Sequence, residues 1–288
     1  ADGREQEIRP CVGATHCMSP QRPVCIHNAA TGRELKMPQQ VKRSDGTIRN
    51  VVVVGGGPAG LEATRVLAER GHKVTLFEAS PKLGGQVLIG AKASWRADLI
   101  GVIDWRASEI ERLGVEVHTS VFAEAEDVLS RDADIVIIAT GGIPDLDWLD
   151  GVEHSTSAWS FLTGSAPVGS SVLVYDGTGR HPALQCAEYA VSSGADTRLI
   201  SIDGEMAAEL TYAERAIWKQ RIYELEVDMT FDHRLTRIEK SGNRLTATFI
   251  NEATCQLKMH TADQIVVEHG TVPADDLYQN CLLYTSDA

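Results

Sequence analysis

A glycine-rich turn followed by an acidic residue carries the clearest chemical signal in the sequence. Gly55, Gly57 and Gly60 have the spacing Gly-x-Gly-x-x-Gly, and Glu78 follows 18 residues after the last of them. At a turn from a strand into a helix, the first glycine permits the bend, the second lets the backbone approach a pyrophosphate, and the third allows close helix packing. The helix N-terminus directs N–H groups at the phosphates, and the acidic residue accepts hydrogen bonds from a ribose. We therefore predict an adenine dinucleotide site in preference to a purely structural turn.

Two further segments are predicted to lie beside this turn. Gly84-Gly85-Gln86 follows Glu78 closely, and Ala139-Thr140-Gly141-Gly142 closes the last strand of the same half. Taken alone, the first segment is as typical of a simple turn as of a binding loop. Its place after a strand–helix–strand unit with the dinucleotide motif favours the binding loop. The predicted cofactor-binding residues are Gly55, Gly57, Pro58, Ala59, Gly60, Glu78, Gly84, Gly85, Gln86, Thr140 and Gly141.

A second glycine-containing turn, Asp176-Gly177-Thr178-Gly179, has an irregular form of the same motif. It also lies between a predicted strand and a predicted helix, but Asp176 stands where the first glycine belongs. A carboxylate at that point would repel a pyrophosphate, so we expect no tight binding of NAD(P)H here. The alternative is a fold that is retained without its ligand. Asp203, which ends the next strand, could contact a ribose or lie in a solvated turn.

Three of the six cysteines, Cys11, Cys17 and Cys25, lie within the first 25 residues, whereas the other three are isolated. Clustered thiols in a reducing compartment indicate a metal or iron–sulfur site more often than disulfides. His16, beside Cys17, could supply a further ligand. The alternative is three unrelated thiols in a loop.

Hydrophobic patterning predicts the elements that must position these residues. Unbroken apolar runs indicate buried parallel strands, and apolar residues at helical spacing indicate the helices between them. In the first half the predicted strands are Val51–Val54, Val74–Phe77, Val115–His118 and Ile135–Ala139, and the helices are Leu61–Arg70, Arg96–Leu113 and Glu124–Leu129. In the second half the predicted elements are strand Ser171–Tyr175, helix Pro182–Ser193, strand Thr197–Ile202, helix Ala213–Glu224, an antiparallel meander of Met229–Ile238, Arg244–Ile250 and Gln256–His260, and the buried strand Ile265–Glu268.

This order of elements predicts an α/β fold. We expect a doubly wound parallel sheet of the FAD/NAD(P)-binding, Rossmann-like type, with a second, inserted α/β dinucleotide-type unit and an antiparallel meander. The expected domains are a cysteine-containing segment and connector at 1–47, the first part of the FAD/ADP-binding unit at 48–165, a second, degenerate unit with its meander at 166–262, and a return to the first unit at 263–281. Residues 282–288 continue no recognisable element, and we interpret them as a non-native tail on a fragment of a longer protein.

Composition and charge exclude several classes of function. The 288 residues include 40 acidic and 27 basic side chains, and the formal net charge of -13 at pH 7 is the wrong sign for binding nucleic acid. The hydrophobic fraction of 43% is typical of a folded globular protein. The apolar runs are far shorter than the roughly 18 residues of a membrane span, and the sequence has no catalytic spacing of a hydrolase. We expect a cytoplasmic protein without a membrane or nucleic-acid partner.

The order of these motifs resembles the C-terminal half of NADH:flavin oxidoreductases of the trimethylamine dehydrogenase and 2,4-dienoyl-CoA reductase type. The resemblance covers about residues 8–281: the cysteine cluster, the turn at Gly55, Ala139-Thr-Gly-Gly, the second fold, and Val266-Val-Glu-His-Gly-Thr-Val-Pro. Arg9-Pro-Cys-Val-Gly-Ala14 and Cys25-Ile-His-Asn-Ala-Ala-Thr-Gly-Arg-Glu particularly resemble the N-methylproline (stachydrine) demethylase branch.

The resemblance implies a set of cofactors. In this family an FMN-binding TIM barrel precedes the region, the cysteines bind a [4Fe–4S] cluster, and the first dinucleotide fold holds FAD or ADP. Cys11 and Cys17 match the first and third cluster ligands, but Ala14 stands at the place of the second, and the loop from Cys17 to Cys25 is shorter than the family pattern. Because a cubane cluster takes four thiolates, His16, a three-iron cluster, an external ligand and the absence of a cluster all stay open.

From this resemblance we expect the electron-transfer half of a flavin-dependent oxidoreductase. The expected reaction is oxidative N-demethylation or amine dehydrogenation at an FMN barrel that this chain lacks, so catalytic residues are not assigned. The expected partners are that barrel, an electron-transfer flavoprotein and a second copy of the chain. One alternative is an NAD(P)H-dependent enoate or 2,4-dienoyl-CoA reductase, which the irregular turn at Asp176 disfavours. Another is a non-catalytic scaffold module that binds ADP.

Overall fold

The computed structural model describes Gly3, residues 5–18 and residues 23–285. Its contacts divide the chain into two compact units. Unit 1 comprises Ala1–Gly142 and Pro273–Ala288, and unit 2 comprises Ile143–Val272. The two units are described separately below.

Strands and helices alternate through most of the chain. The strands are β1 (Asn50–Val54), β2 (Lys73–Phe77), β3 (Glu116–His118), β4 (Ile135–Ile138), β5 (Gly142–Pro144), β6 (Thr156–Ser157), β7 (Ser171–Asp176), β8 (Asp196–Ser201), β9 (Asp228–Thr230), β10 (His233–Ser241), β11 (Arg244–Asn251), β12 (Leu257–Ala262), β13 (Gln264–Glu268) and β14 (Thr271–Pro273). The helices are α1 (Pro58–Glu69), α2 (Val87–Gly90), α3 (Gly101–Arg112), α4 (Ala125–Leu129), α5 (Ala158–Thr163), α6 (His181–Ser192), α7 (Tyr212–Glu224) and α8 (Asp276–Thr285). Within the described ranges, no helix has the length and hydrophobicity needed to cross a membrane.

Unit 1 is built on a four-stranded parallel sheet with the order β3-β2-β1-β4. The central strand β1 is buried on both faces, as its unbroken run of valines predicts. Val54, its last residue, pairs with Phe77 of β2 and Ile138 of β4. The carboxyl ends of three strands therefore meet at one edge, where doubly wound folds bind their ligands.

Unit 2 contains a five-stranded parallel sheet with the order β6-β13-β7-β8-β9 and a three-stranded sheet with the order β10-β11-β12. The second sheet is antiparallel, as its alternating pattern predicts. Side chains of both sheets, among them Leu173, Ile200 and Phe249, share one buried apolar core. The predicted α/β fold with a second unit and a meander is thus confirmed.

The expected domain boundaries differ from the observed ones. Strand β13, which was expected to return to the first unit, pairs residue by residue with β7 of unit 2. The chain returns to unit 1 only at Pro273, and unit 2 begins at Ile143 rather than at residue 166 because β6 and α5 pack against β13. The described part of the chain up to residue 47 contains two short 3-10 turns, Glu5–Glu7 and His16–Met18, and it belongs to unit 1.

Two further expectations were wrong at the level of single elements. The first meander strand, expected at Met229–Ile238, is interrupted at Asp232, which has a positive φ of 58°. Its first part is β9, which pairs in parallel with β8, and only its second part belongs to the meander. At the chain's end, residues 282–285 were expected to continue no element, but they form the last turn of α8. Residues 286–288 lie outside the described residues.

Candidate functional site

The turn after β1 is fixed by close contacts that only glycine permits. Gly55 has a φ of +107°, and a Cβ at this position would strike the carbonyl oxygen of Ala139. A Cβ at Gly60 would strike the carbonyl oxygen of Gly55. The first and third glycines of the motif thus have the roles that the sequence predicts, a tight bend and close packing of α1 against the strand.

The Gly84-Gly85 segment packs directly on this turn. The Gly84 N–H donates a hydrogen bond to the Gly56 carbonyl oxygen at 2.8 Å, and a Cβ at Gly85 would lie 3.2 Å from the Cα of Gly57. Both residues have positive φ angles, of 134° and 53°. This second loop therefore forms one wall of the space beside the glycine-rich turn.

The segment that follows β4 completes the cluster. Gly141 lies next to Gln86. A Cβ added at Gly141 would be 3.9 Å from the side-chain nitrogen of Gln86. Thr140 donates from its hydroxyl to the Ala274 carbonyl oxygen at 2.6 Å. The structure thus brings together the three predicted segments at the carboxyl edge of the unit 1 sheet.

Glu78 is held against the same turn at the end of β2. One carboxylate oxygen accepts a hydrogen bond from the Gly56 N–H at 2.6 Å, and the other accepts one from the Ser80 N–H at 2.6 Å. The residue is buried, with 9% of its surface exposed. Each oxygen retains acceptor capacity, so this fixed carboxylate is suited to a ribose hydroxyl beside the turn.

Gly57 differs from its neighbours because nothing within the protein requires a glycine there. Its φ of -73° is accessible to any residue, and a Cβ at this position would meet no atom within 4 Å. Gly57 is also the N-cap of α1, and no side chain caps that helix. The first turn of an α-helix has N–H groups without partners in the helix, so the open space over Gly57 faces the kind of site that binds phosphate.

The three clustered cysteines line one cavity of about 230 Å³ in unit 1. Cys11 and Cys17 are exposed, Cys25 is half-buried, and all three are free thiols. Ala14 and His16 line the same cavity. In the described part of the chain, no three metal-binding side chains are arranged to hold a single metal ion.

Beside this cavity lies a charged network that the sequence did not reveal. The Glu62 carboxylate on α1 forms ion pairs with Arg65 at 2.8 Å and Arg106 at 2.8 Å, and Arg9 lies 4.0 Å away. Arg9 also stacks over the Trp105 ring. Only the Glu62 to Arg65 spacing, three residues apart on one helix, is visible in the sequence. The other arginines come from distant segments.

His27 connects the network to Cys25. Its carbonyl oxygen accepts hydrogen bonds from Arg9 and Arg106, and its N–H donates to the Cys25 sulfur at 3.4 Å. The buried ring contacts the Pro10 carbonyl oxygen through Nδ1 at 3.0 Å. Burial, together with the charge of Arg106, lowers the pKa of His27 to about 4, so the ring is neutral near pH 7.

The corresponding turn of unit 2 has a different arrangement. Asp176 is buried, and its carboxylate accepts hydrogen bonds from the N–H groups of Thr178 and Gly179 at 3.1 and 2.9 Å. Burial raises the pKa of Asp176 to about 6. Asp203 lies against Gly179. The expected carboxylate is therefore present at this turn, and it accepts hydrogen bonds from the backbone of the loop.

Comparison with known proteins identifies the family. The model of the family described as Pyridine nucleotide-disulphide oxidoreductase matches residues 19–163 and 49–287. The chain belongs to this family. A probable N-methylproline demethylase of Rhizobium meliloti (strain 1021) is 45% identical over 280 residues, which are 96% of this chain and 41% of that protein. A multifunctional alkene reductase/demethylase OYE of Caballeronia cordobensis is 44% identical over 99% of this chain and 42% of its own length.

A solved structure has the same fold. Histamine dehydrogenase from Rhizobium sp. 4-9 superposes with a TM-score of 0.89 at 26% identity, over 99% of this chain and 44% of that chain. These matches confirm the resemblance to flavin oxidoreductases and to their demethylase branch. The chain spans about 41% of the length of the first curated relative.

Proposed function

We propose that this chain is the FAD- or ADP-binding, electron-transfer half of a flavin-dependent oxidoreductase. The observation that carries the proposal is the open space over Gly57, at an uncapped helix N-terminus and beside the buried carboxylate of Glu78. No internal contact accounts for a glycine at this position. A pyrophosphate that approaches the backbone there accounts for it.

The residues of unit 1 supply binding and orientation for this cofactor. The N-terminus of α1 faces the pyrophosphate, Glu78 accepts hydrogen bonds from the ribose, and the Gly84-Gly85 loop sets the shape of the adjoining wall. A bound flavin supplies the transfer of electrons. Gln86, Thr140 and Gly141 line the edge of the same cluster and are proposed as further cofactor contacts.

The proposed reaction of the whole protein is oxidative N-demethylation or amine dehydrogenation at an FMN-binding barrel that lies outside these 288 residues. The names of the N-methylproline demethylase and histamine dehydrogenase relatives support it. We propose that electrons leave to a protein acceptor of the electron-transfer flavoprotein type. The second candidate is an NAD(P)H-dependent reductase, which the similarity to the alkene reductase/demethylase favours.

Substitution of Gly57 tests the proposed cofactor site. In Gly57→Val the branched side chain fills the space over the turn, and we expect ADP and FAD affinity to fall about 100-fold, close to 3 kcal/mol. Calorimetric titration of the apoprotein with each nucleotide measures the change. The free energy of unfolding without nucleotide should fall by no more than about 1 kcal/mol, because an added Cβ meets no protein atom and the main cost is the loss of glycine at the helix N-cap.

Gly46→Ala is the matched control for this experiment. Gly46 is exposed, its φ is not positive, and its nearest neighbour, the Ser44 hydroxyl, would lie 3.8 Å from an added Cβ. This variant should bind ADP as the wild type does. A folded wild-type protein that binds neither ADP nor FAD would contradict the proposal.

We also propose that Cys11, Cys17 and Cys25 bind an iron–sulfur cluster with an incomplete or unusual ligand set. The three thiols share one cavity, and Ala14, which lines it too, has no ligand atom. Arg9 and Arg106 lie close enough to Cys25 for their charges to interact with it. Two cations favour an anionic, thiolate-ligated group at this position.

Iron and sulfide analysis of the anaerobically purified chain tests the proposed cluster. We expect iron that is lost on exposure to air, because a cubane with fewer than four protein thiolates is exposed at one corner. Cys11→Ser should reduce the bound iron, whereas Cys255→Ser, at an exposed cysteine of unit 2, should leave it unchanged. A stoichiometric, air-stable four-iron cluster would contradict the proposal, because it would show that a fourth ligand exists although Ala14 has no ligand atom.

A further inference from the structure

The family description names a pyridine nucleotide, and unit 2 contains the second fold in which such a nucleotide would bind. In its sheet, β8 lies on one side of β7 and β13 on the other. The strand order therefore reverses at β7, and doubly wound sheets bind nucleotides at the carboxyl ends of the strands at such a point. Residues 176–180, between β7 and α6, occupy this position.

Three consecutive backbone N–H groups of this loop, those of residues 177–179, already have acceptors. The Gly177 N–H donates to the Glu268 carbonyl oxygen at 2.8 Å. The Thr178 and Gly179 N–H groups both donate to one carboxylate oxygen of Asp176. Successive N–H groups of this kind form the anion-binding concavity of a phosphate loop. Here the anion is the carboxylate of the strand's own last residue.

The glycines of this loop are covered as well. A Cβ at Gly177 would lie 2.7 Å from the His269 ring, and Gly179 is in contact with the Asp203 carboxylate and lies near Ala208. In unit 1, by contrast, a Cβ at Gly57 would meet no atom within 4 Å. The side chains of His269 and Asp203 therefore cover the two glycines of this loop.

Charge opposes a pyrophosphate at the same place. Glu268, the register partner of Asp176 on β13, is 6% exposed, and Asp203 adds a third carboxylate. Arg180 is the cation whose charge acts on Glu268. A doubly charged pyrophosphate would thus meet three acidic groups close to a single arginine.

We propose that the carboxylate of Asp176 is the permanent occupant of the phosphate loop in unit 2, so that this unit binds no pyridine nucleotide. The residues present do not fit the nucleotide that the family description implies. Electrons consequently pass to or from the protein without a nicotinamide in unit 2. This inference concerns unit 2 alone, and it stands whether or not unit 1 binds FAD.

Titration of the 288-residue chain with NADH and NADPH tests the inference. Saturating FAD is added first so that unit 1 is not available to the nicotinamide nucleotides, and binding is followed by calorimetry and by NADH fluorescence. We expect no saturable binding at millimolar nucleotide. Saturable binding at micromolar NADH in the presence of FAD would overturn the proposal.

Variants distinguish two explanations for the expected lack of nucleotide binding. One is capping, in which the Asp176 carboxylate accepts the loop N–H groups, and the other is simple charge repulsion. Asp176→Asn removes the charge but keeps an oxygen that can accept the loop N–H groups, so we expect no gain in NADH affinity. Asp176→Gly combined with Asp203→Ala frees the N–H groups and uncovers Gly179, and we expect a gain of about tenfold or more. Asp196→Asn, at an exposed position on β8, is the matched control and should change nothing.

The variant results decide between the two explanations. An equal gain in Asp176→Asn and in the double variant would overturn capping as the cause. A double variant that retains its far-UV circular dichroism and its FAD binding, but gains no NADH affinity, would also overturn it. If the double variant does not fold, the wild-type titration and Asp176→Asn remain decisive.

Discussion

Two turn residues, Gly57 in unit 1 and Asp176 in unit 2, give the corresponding loops different surroundings. Gly57 leaves its loop open because it has no side chain, and a Cβ added there would meet no atom within 4 Å. Asp176 closes its loop because its carboxylate accepts the N–H groups that would otherwise face a phosphate. The same kind of turn thus binds an external anion in unit 1 according to the proposed function, whereas in unit 2 its N–H groups donate to the protein's own carboxylate.

The closed loop makes the stability of unit 2 depend on pH. Burial raises the pKa of Glu268 to about 7 and that of Asp176 to about 6, above their ordinary values of 4.5 and 3.8. The folded state therefore binds more protons than the unfolded state between these limits. The contribution of these two groups to stability then rises as the pH falls from 8 towards 4.5, which is the reverse of the usual behaviour of a salt-bridged carboxylate.

Glu268→Gln tests this pH dependence. At pH 8 we expect the variant to be more stable than wild type by about 1 to 3 kcal/mol, because the amide removes a buried charge and keeps an acceptor for the Gly270 N–H. The advantage should shrink through pH 7 and approach zero near pH 4.5. Urea unfolding at several pH values measures it. Glu153→Gln, at an exposed site of the same unit, should show no such trend, and a pH-independent difference in Glu268→Gln would contradict the assignment.

At the scale of elements, local sequence predicted most of what positions the proposed nucleotide site. The valine run of β1 and the glycines after it can be recognised from the local sequence alone. Buried parallel strands are unbroken apolar runs, and tight turns need a positive φ, which glycine adopts readily. The strand was expected at Val51–Val54 and is found at Asn50–Val54. The convergence of the Gly84-Gly85 loop on Gly56 also follows from the meeting of strand ends at one edge.

Elements whose identity depends on a distant partner were predicted less well. All five residues of β13 are buried, a pattern that fits either sheet, and only its pairing with β7 places it in unit 2. The alternation that predicted one strand over Met229–Ile238 continues through Asp232, although the backbone breaks there. A period-2 pattern records which faces are buried and carries no information on which strand is the neighbour.

The same limit applies to the parts of the candidate site that the sequence missed. Glu62, Arg106 and His27 are far apart in the chain, and their types alone are typical of exposed or ordinary residues. Their burial and pairing arise only when α1, α3 and the cysteine segment pack together. The open space over Gly57 is likewise a property of the folded chain.

At the scale of the whole molecule, each unit has its own sheet and its own apolar core. The core of unit 2 is made of residues between Leu149 and Val267, and the cores of unit 1 include Leu61 and Phe77 but no residue of unit 2. The chain crosses between the units twice. On the unit 1 side the crossing points are adjacent, because the Ala274 N–H donates to the Gly141 carbonyl oxygen at 3.0 Å. On the unit 2 side, the Asp145 N–H donates to the Gly270 carbonyl oxygen at 3.1 Å.

Adjacent crossing points predict that either unit folds when the other is removed. Residues 143–272 expressed alone should unfold cooperatively in urea, because their ends are already joined by a hydrogen bond and their core is complete. Unit 1, with Gly142 linked to Pro273 through a short Gly-Ser linker, should keep the ADP affinity of the whole chain, since Gly57, Glu78 and the loops around them all lie within it. Calorimetry with ADP and far-UV circular dichroism measure both outcomes. Loss of ADP binding in a linked unit 1 that remains folded would show that the nucleotide site depends on unit 2, and a non-cooperative 143–272 segment would show that the core of unit 2 is not sufficient for folding.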